Sequence, residues 1–203
     1  MVRSAAAAAL SVLVATTAVS AAKADDVLDQ LDGARDLYQK GEFAKAVSEL
    51  QFVITDIRRK VAAKYIAALP PAPAGWKAGE AESRSGAMIG GGQAITRNYQ
   101  ADDGNGSIDL QLMVDNPMTQ AMLGLMSNPA MLAADPSARR VRINGENAIL
   151  KWDASEKSGE LSLVLGNRML IHAEGQNLQS EAVLSDLVKA CDFKAIKAAG
   201  GLD

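Results

Sequence analysis

The sequence predicts an α+β protein in which an N-terminal antiparallel helical hairpin precedes an antiparallel β-sheet with helices packed on a face. Three observations support this prediction. Apolar residues recur at helical spacing through residues 25–69, a proline-rich segment follows at 70–74, and apolar and polar residues then alternate through much of 75–203. Runs of strands with helices segregated from them are typical of antiparallel sheets.

The first 24 residues have the pattern of a secretory signal peptide. Arg3 supplies a positive charge, residues 5–19 form an apolar run, and Ala22-Lys23-Ala24 is a small-x-small cleavage site before Asp25. The apolar run is short and weakly hydrophobic for a membrane span, and no later segment is long enough. Cleavage removes two positive charges, so the net charge changes from -3 to -5 (-3 minus 2). We predict a periplasmic or secreted protein that is not an integral membrane protein.

Residues 25–69 are predicted to form the helical hairpin. A first helix runs from Val27 to Lys40, Gly41 ends it, and a second helix runs from Phe43 toward Leu69. The paired prolines that follow cannot continue a helix. The second helix carries an apolar stripe at helical spacing: Val47, Leu50, Val53, Ile54, Ile57 and Val61.

Part of this hairpin resembles one tetratricopeptide repeat, over about residues 31–54. The matching positions are Ala34, Leu37, Tyr38, Gly41, Phe43, Ala46 and Leu50. In that family small residues let the two helices approach and a large residue packs between them. A single copy implies a repeat-like hairpin and not a peptide-binding superhelix, which needs about three repeats. The alternative is an ordinary helical hairpin that packs on the β-domain or mediates self-association.

The predicted linker at 70–74 leads to strands at 93–100 and 107–114, joined by a turn at 102–106. Gly90-Gly91-Gly92 lacks the Gly-Lys-Ser/Thr sequence of a phosphate-binding loop, so it is interpreted as a structural entry into a strand. The acidic turn lacks the spacing and closing Glu of a calcium loop. Asn116-Pro117 begins a helix that extends to about Ser127, since Asn is a good N-cap and proline suits the first helical position.

An antiparallel meander is predicted between Arg139 and Glu174. Asn144-Gly145 is a strong two-residue hairpin signal, and Gly166-Asn167 is a second tight turn. The alternation leaves one apolar face that other elements must cover. Helices at 178–191 and 192–198 complete the chain. The order of elements is similar to the PsbP/Mog1-like sheet fold, a resemblance that implies a fold and no activity.

Composition and cysteine usage exclude some classes of protein. Only 4% of residues are aromatic and the chain is acidic, which argues against base stacking and phosphate-backbone binding, so no nucleic-acid partner is expected. The single cysteine, Cys191, excludes an intramolecular disulfide. We expect it to be a buried hydrophobe of an amphipathic helix, the alternative being a reactive thiol or an intermolecular bridge.

Methionine is the unusual feature of the sequence. Three methionines spaced by four residues share one helix face, and two more lie nearby, so this segment is a possible ligand groove: Met113, Met118, Met122, Met126 and Met131. Thioethers are soft ligands that suit Cu(I). The alternatives are packing between helix and sheet, an apolar ligand groove, and a Cu(I) site formed by the three methionines of the helix face, Met118, Met122 and Met126.

No catalytic or cofactor motif is recognisable. His172 is the single histidine and is expected to be exposed or in an edge cleft, and no serine lies in a nucleophile elbow. Asp109 and Glu174 are carboxylates whose separation the sequence does not give. We therefore predict a non-enzymatic binding or interaction module for an unknown protein partner or a small apolar ligand, with no cofactor. The alternatives are a copper-binding protein and an enzyme with an unrecognised active site.

Overall fold

A computed structural model of the chain describes residues 26–85, 91–128, 130, 132 and 134–202. The predicted signal peptide and its cleavage point before Asp25 lie outside the described residues. The predicted α+β class is confirmed, because a pair of helices precedes an antiparallel sheet that carries further helices. Among the described helices, none is long and apolar enough to cross a membrane.

Five helices and eight strands position the surfaces discussed below. The helices are α1 (Asp26–Gln39), α2 (Phe43–Ala68), α3 (Pro117–Ser127), α4 (Ala182–Lys189) and α5 (Phe193–Ala199). The strands are β1 (Trp76–Ala78), β2 (Glu82–Ser85), β3 (Gln93–Ala101), β4 (Ser107–Val114), β5 (Ala138–Ile143), β6 (Glu146–Asp153), β7 (Ser158–Leu165) and β8 (Met169–Gln176). The sheet is antiparallel in the order β1-β3-β4-β8-β7-β6-β5, and β2 also pairs with β3.

The chain divides into two compact units inside α2, between Val53 and Ile54. The described part of the first unit is a helical hairpin made of α1 and the first turns of α2. Its buried side chains are small or medium in size: Val27, Ala34, Ala46 and Val53. Gly41 takes a φ of 76° in the turn, a conformation that favours glycine.

The second unit is built around the first face of the sheet. The last turns of α2 cover this face together with α4 and α5. Ala62, Tyr65 and Ala68 of α2, and Leu69 directly after it, belong to one continuous buried cluster. The chain after α2 is also fixed by hydrogen bonds. The Tyr99 hydroxyl donates to the Pro70 carbonyl at 2.8 Å, and the Asp192 amide donates to the Ala68 carbonyl at 3.0 Å.

The boundary between the two units, between Val53 and Ile54, therefore lies at a different position from the boundary predicted at the linker 70–74. Proline does end α2, as expected from its missing N–H. The residues before it nevertheless carry an apolar face that only the sheet can bury, because helical spacing aligns Ala62, Tyr65 and Leu69. A proline segment marks the end of a helix and does not by itself mark the edge of a domain.

We predict that truncation will locate this division. A chain beginning at Ile54 should retain cooperative thermal unfolding, whereas one beginning at Ala74 should lose it. The shorter chain lacks Tyr65 and Leu69, and removing a large buried side chain costs about 2–5 kcal/mol of a total stability of about 5–15 kcal/mol. Circular dichroism melts of the two chains provide the measurement. A cooperative melt of the Ala74 chain would show that the last turns of α2 are dispensable.

The meander between β5 and β8 is formed as predicted. Asn144 and Gly145 both have positive φ, 49° and 86°, and join β5 to β6 as a two-residue turn. The turn between β7 and β8 also uses positive φ at Gly166 and Asn167, but its loop includes Arg168 as a third residue.

Both faces of the central strands are partly covered, so the prediction of one apolar face was wrong. On the second face Ala94, Met113, Val164 and Leu170 form a separate buried cluster under α3. An antiparallel sheet commonly has one solvated face, but here α3 covers part of the second face of β4, β8 and β7. The predicted cap of α3 is confirmed, since the Asn116 side chain accepts from the Met118 amide at 2.9 Å.

Two short strands, β1 and β2, were not predicted. All four residues of β2 are exposed, so it has no alternation to recognise. The glycine segment before β3 has a steric role in its described part, as expected. Gly92 has a φ of 72°, and a Cβ there would lie 2.1 Å from the Val114 carbonyl oxygen. Gly90 lies outside the described residues.

Candidate functional site

The structure does not bring the five predicted methionines into one surface. Met122 and Met126 of α3 pack with Leu123 against the buried cluster of the second sheet face, which includes Met113. Met118 is 55% exposed and does not join this cluster. Met131 lies outside the described residues. The predicted face is therefore divided between a packed part and an exposed residue.

Packing accounts for the methionines that face the sheet. The side chains around Met122 and Met126 are apolar, namely Ala94, Val164 and Leu170 in addition to the neighbouring Met113 and Leu123. Methionine suits such a contact because its flexible thioether fills irregular gaps. Of the three interpretations open from the sequence, this arrangement favours packing between helix and sheet over a groove or a Cu(I) site.

Paired substitutions test this interpretation. Met122→Ala should lower the free energy of unfolding by about 1–3 kcal/mol, because it opens a gap in a partly buried contact. Met118→Ala is the matched control on the same helix and should change the free energy of unfolding by less than about 0.5 kcal/mol. Chemical denaturation measures the free energy of unfolding of both variants. Equal, small effects would show that α3 is not packed through Met122.

His172 lies in an interior strand, and not in an edge cleft as expected. It is half-buried on β8, and its Nδ1 lies 2.9 Å from the Oγ of Ser162, the residue directly opposite on β7. A serine beside a histidine is one element of a hydrolase site. Ser162 is only 3% exposed, however, so its oxygen is not open to a substrate. The pair is best interpreted as a cross-strand hydrogen bond that satisfies a buried hydroxyl.

The sheet also aligns three carboxylates that the sequence could not place. Glu174 lies directly opposite Asp109 on β4 and Glu160 on β7. Like charges at opposed positions are unfavourable. Asn98 donates a hydrogen bond to Asp109 at 3.1 Å, and the Lys151 ammonium lies 3.4 Å from Glu160. The carboxylates on either side of Glu174 are therefore each stabilised by a polar or charged neighbour. Among the described residues, no group of three His, Cys, Asp or Glu has the arrangement of a metal site.

A polar cleft of about 650 Å³ lies beside this row, at one end of β6, β7 and β8. Lys151 also lies 3.6 Å from Asp135, on the other side of the cleft. The pKa of Asp135 is lowered, chiefly by hydrogen bonds from Ser137 and further by Lys151. The cleft is lined mainly by carboxylates and small polar residues, and it contains no pair of groups with the roles of nucleophile and base.

A second, smaller cleft of about 320 Å³ is organised by an ion pair. Arg168 binds Asp115 in a bidentate manner, with both N–O distances at 2.7 Å. These hydrogen bonds lower the pKa of Asp115. Asp115 has a φ of 53° just before α3, so the ion pair fixes a strained connection. We assign it a structural role.

Cys191 is buried, as predicted, although α4 ends before it at Lys189. Burial raises the pKa of its thiol to about 12, so little reactive thiolate forms near neutral pH. The alternative of a reactive thiol is not favoured by this environment.

The buried thiol predicts a specific pH dependence of stability. The pKa of Cys191 is higher in the folded protein than its ordinary value of 9.0. The neutral thiol therefore contributes fully to the free energy of unfolding below pH 9, and this contribution is lost as the pH rises toward 12. Cys191→Ala should flatten the decline in free energy of unfolding between about pH 9 and pH 10. Above pH 10 a decline should persist, because burial raises the pKa of Tyr99 to about 12 as well. An unchanged slope in the variant would contradict this assignment.

Among the described residues, most of the large exposed apolar side chains lie on the hairpin of the first unit. Tyr38 and Phe43 are 65% and 58% exposed, and four aliphatic side chains are exposed beside them. We call this surface the hairpin face; its residues are Leu28, Leu31, Tyr38, Phe43, Val47 and Leu50. Exposed apolar residues are ordinary when scattered singly, but a contiguous patch indicates an interaction site.

Helix geometry places these residues on one side of the hairpin. With 3.6 residues per turn, Leu31 and Tyr38 lie on one side of the buried position Ala34. On α2, Phe43, Val47 and Leu50 lie beside the buried position Ala46. The rings of Tyr38 and Phe43 meet edge to face with centroids 5.2 Å apart, which fixes the two sets of residues on the same side.

The residues of the hairpin face are uncharged. Arg35, which lies on α1 beside the face, pairs with Asp32 at 3.1 Å and Asp36 at 3.8 Å, so this group has a net charge of -1 (+1 minus 2). On α2 the residues that flank the face are uncharged, namely Ala44, Ser48 and Gln51. Phe52 is equally exposed, at 60%, but it lies on the opposite side of α2, since it is two residues beyond Leu50.

A signal for this surface is present in the sequence. Phe43, Val47 and Leu50 follow a 4-3 spacing, which is the repeat of a coiled-coil seam. Ile54 and Ile57, in the part of α2 that belongs to the second unit, continue the spacing and are also exposed. Four members of the stripe predicted from the sequence, Val47, Leu50, Ile54 and Ile57, are therefore open to solvent, whereas Val53 is buried. The sequence did not reveal this difference.

Comparisons with known proteins do not assign the chain to a family: no family model, curated protein or solved structure matches it. The resemblances to a tetratricopeptide repeat and to the PsbP/Mog1-like fold therefore stay predictions. The inference of function depends on the surfaces described above.

Proposed function

We propose that the protein is a non-enzymatic interaction module that binds a protein partner through the hairpin face. The observation that supports this proposal is the apolar area of that face. At the observed exposures its two aromatic and four aliphatic side chains leave roughly 700 Å² open to solvent. The largest apolar patch on a typical monomer is about 300–600 Å² and is often functional.

The spacing of the face fits a helical partner. Phe43, Val47 and Leu50 have the 4-3 spacing of a coiled-coil seam, which interdigitates with apolar residues of another helix. Large aromatic side chains dominate the energy of such contacts. Tyr38 and Phe43 lie together and would supply a central anchor.

Two other types of partner are less compatible with this surface. Helices that lie on a membrane surface carry lysine and arginine along the rim of the apolar face. Arg35 beside this face is paired with two aspartates and Lys45 with Glu42, so these cations are already compensated within the chain. An enzymatic role would need accessible reactive groups, and Ser162 is buried beside His172. We retain export to the periplasm as part of the proposal, on the strength of the signal-peptide pattern.

The proposal predicts that the hairpin face can be made polar without loss of folding. The double change Val47→Gln and Leu50→Gln should lower the free energy of unfolding by no more than about 1 kcal/mol, because both side chains are already exposed. The neutral apolar dye Nile red should bind the dilute wild-type protein and should bind the variant several-fold less.

Phe52→Gln is the matched control, since Phe52 has similar exposure on the opposite side of the same helix. This control should retain most of the dye binding. A loss of several kcal/mol in the double variant would mean that the face is packed inside the protein. Equal dye binding by all three proteins would show that the hairpin face is not an available binding surface.

A further inference from the structure

We infer that the occupant of the hairpin face is a second copy of this chain, packed against it across a two-fold axis. This inference depends on the proposed function, because it names the partner that the same face would bind. Three properties of the described residues lead to it: the spacing of the apolar residues, the charge of the face and its area.

The spacing is that of a seam between helices. Phe43, Val47 and Leu50 occupy successive seam positions of a heptad, so they can interdigitate with an equivalent helix. The positions that are buried on α1 and the first turns of α2 are other residues, the small Ala34 and Ala46 among them. Two hairpins placed face to face would form a four-helix bundle, the common arrangement for helices with one apolar stripe each.

The burial within the hairpin shows why a second one is needed. The described part of the first unit buries only four apolar side chains, Val27, Ala34, Ala46 and Val53. A structure of this size has little core to stabilise it. Contact between two hairpin faces would bury the rings of Tyr38 and Phe43, which are the largest side chains of the face.

The apolar character of the face favours self-association over a charged partner. In a two-fold interface each surface meets its own equivalent, so net charge repels itself. The six residues of the hairpin face are uncharged, and Arg35 with Asp32 and Asp36 leaves one net negative charge beside them (+1 minus 2). Selection of a different protein commonly uses complementary charges, and no residue of the hairpin face itself carries one.

The area of the face is compatible with a specific dimer. Complete covering of two faces of roughly 700 Å² each would bury about 1,400 Å² in total, within the range of about 1,200–2,000 Å² that stable interfaces bury. Only the six residues of the hairpin face are included in this area. An interface of this size is compatible with dissociation constants from micromolar downward.

Sedimentation of the full-length mature chain tests the inference. Between about 1 and 100 μM, the wild-type protein should sediment as a dimer or shift from monomer to dimer, as expected for an interface of standard size. Val47→Glu combined with Leu50→Glu places like charges at the centre of the contact, and it should weaken association by at least about 100-fold. Phe52→Glu adds one negative charge to the same helix on the opposite side and should leave association unchanged.

Nile red fluorescence, measured on the same samples, separates this inference from the proposed function. A dimer lost in the double variant and retained in Phe52→Glu, with dye binding per chain falling as the wild-type concentration rises, is the expected result. A wild-type monomer at every concentration that binds dye through the hairpin face would overturn self-association and leave the proposed function standing. A monomer whose dye binding is unaffected by the double variant would overturn both. A dimer that persists in the double variant would place the interface elsewhere on the chain and refute the inference.

Discussion

The structure of the second unit depends on how the first face of the sheet is buried. The apolar side chains of β3, β4, β7 and β8 form one continuous layer, and the last turns of α2 cover it together with α4 and α5. Tyr65 is almost fully buried in this layer, and hydrogen bonds at Ala68 and Pro70 hold the end of the helix beside Tyr99 and Asp192. Burial of apolar area supplies the favourable free energy, while these hydrogen bonds determine where the helix stops. The proline segment therefore belongs to the sheet unit, and the described part of the first unit is a short hairpin.

Local signals in the sequence predicted local structure well. Asn144-Gly145 formed the expected two-residue turn because both residues tolerate positive φ, and Asn116 capped α3 as its side chain permits. Contacts that depend on non-local pairing could not be predicted in the same way. β4 pairs with β8 across more than 50 positions of the chain, and this register alone brings Asp109 opposite Glu174. The same pairing makes β8 an interior strand, which explains why His172 is half-buried and hydrogen-bonded to Ser162. The cover on the second sheet face was missed for a related reason, since no pattern within β7 or β8 specifies that α3 lies over Val164 and Leu170.

The candidate site shows how far a helical pattern can be interpreted. The spacing of apolar residues on α2 was evident, and so was the series of methionines on α3. Both patterns have the spacing of a buried stripe, yet α3 packs Met122 and Met126 against the sheet, where they are partly buried, whereas α2 leaves Phe43 and Val47 exposed. The difference arises from the surroundings of each helix. α3 lies over an apolar part of the sheet, while the buried positions of α1 and the first turns of α2 are small residues such as Ala34 and Ala46, and larger side chains remain outside. Spacing identifies a face, and only the tertiary structure determines whether something covers it.

Association and the stability of the hairpin are coupled if the hairpin face is an interface. Anything that binds the folded state and not the unfolded state stabilises it by mass action. The sheet unit has an extensive core and gains little from this coupling. The hairpin has few buried side chains, so a larger share of its stability would come from the partner. Opening of the hairpin by local unfolding would then become rarer as the protein concentration rises, while opening of the central strands would not change. The boundary between the two units lies inside α2. Residues before it carry exposed seam positions of the hairpin, and residues after it carry the face that is buried in the sheet unit. A single helix can therefore serve both parts of the protein, through recognition at its beginning and through core packing at its end.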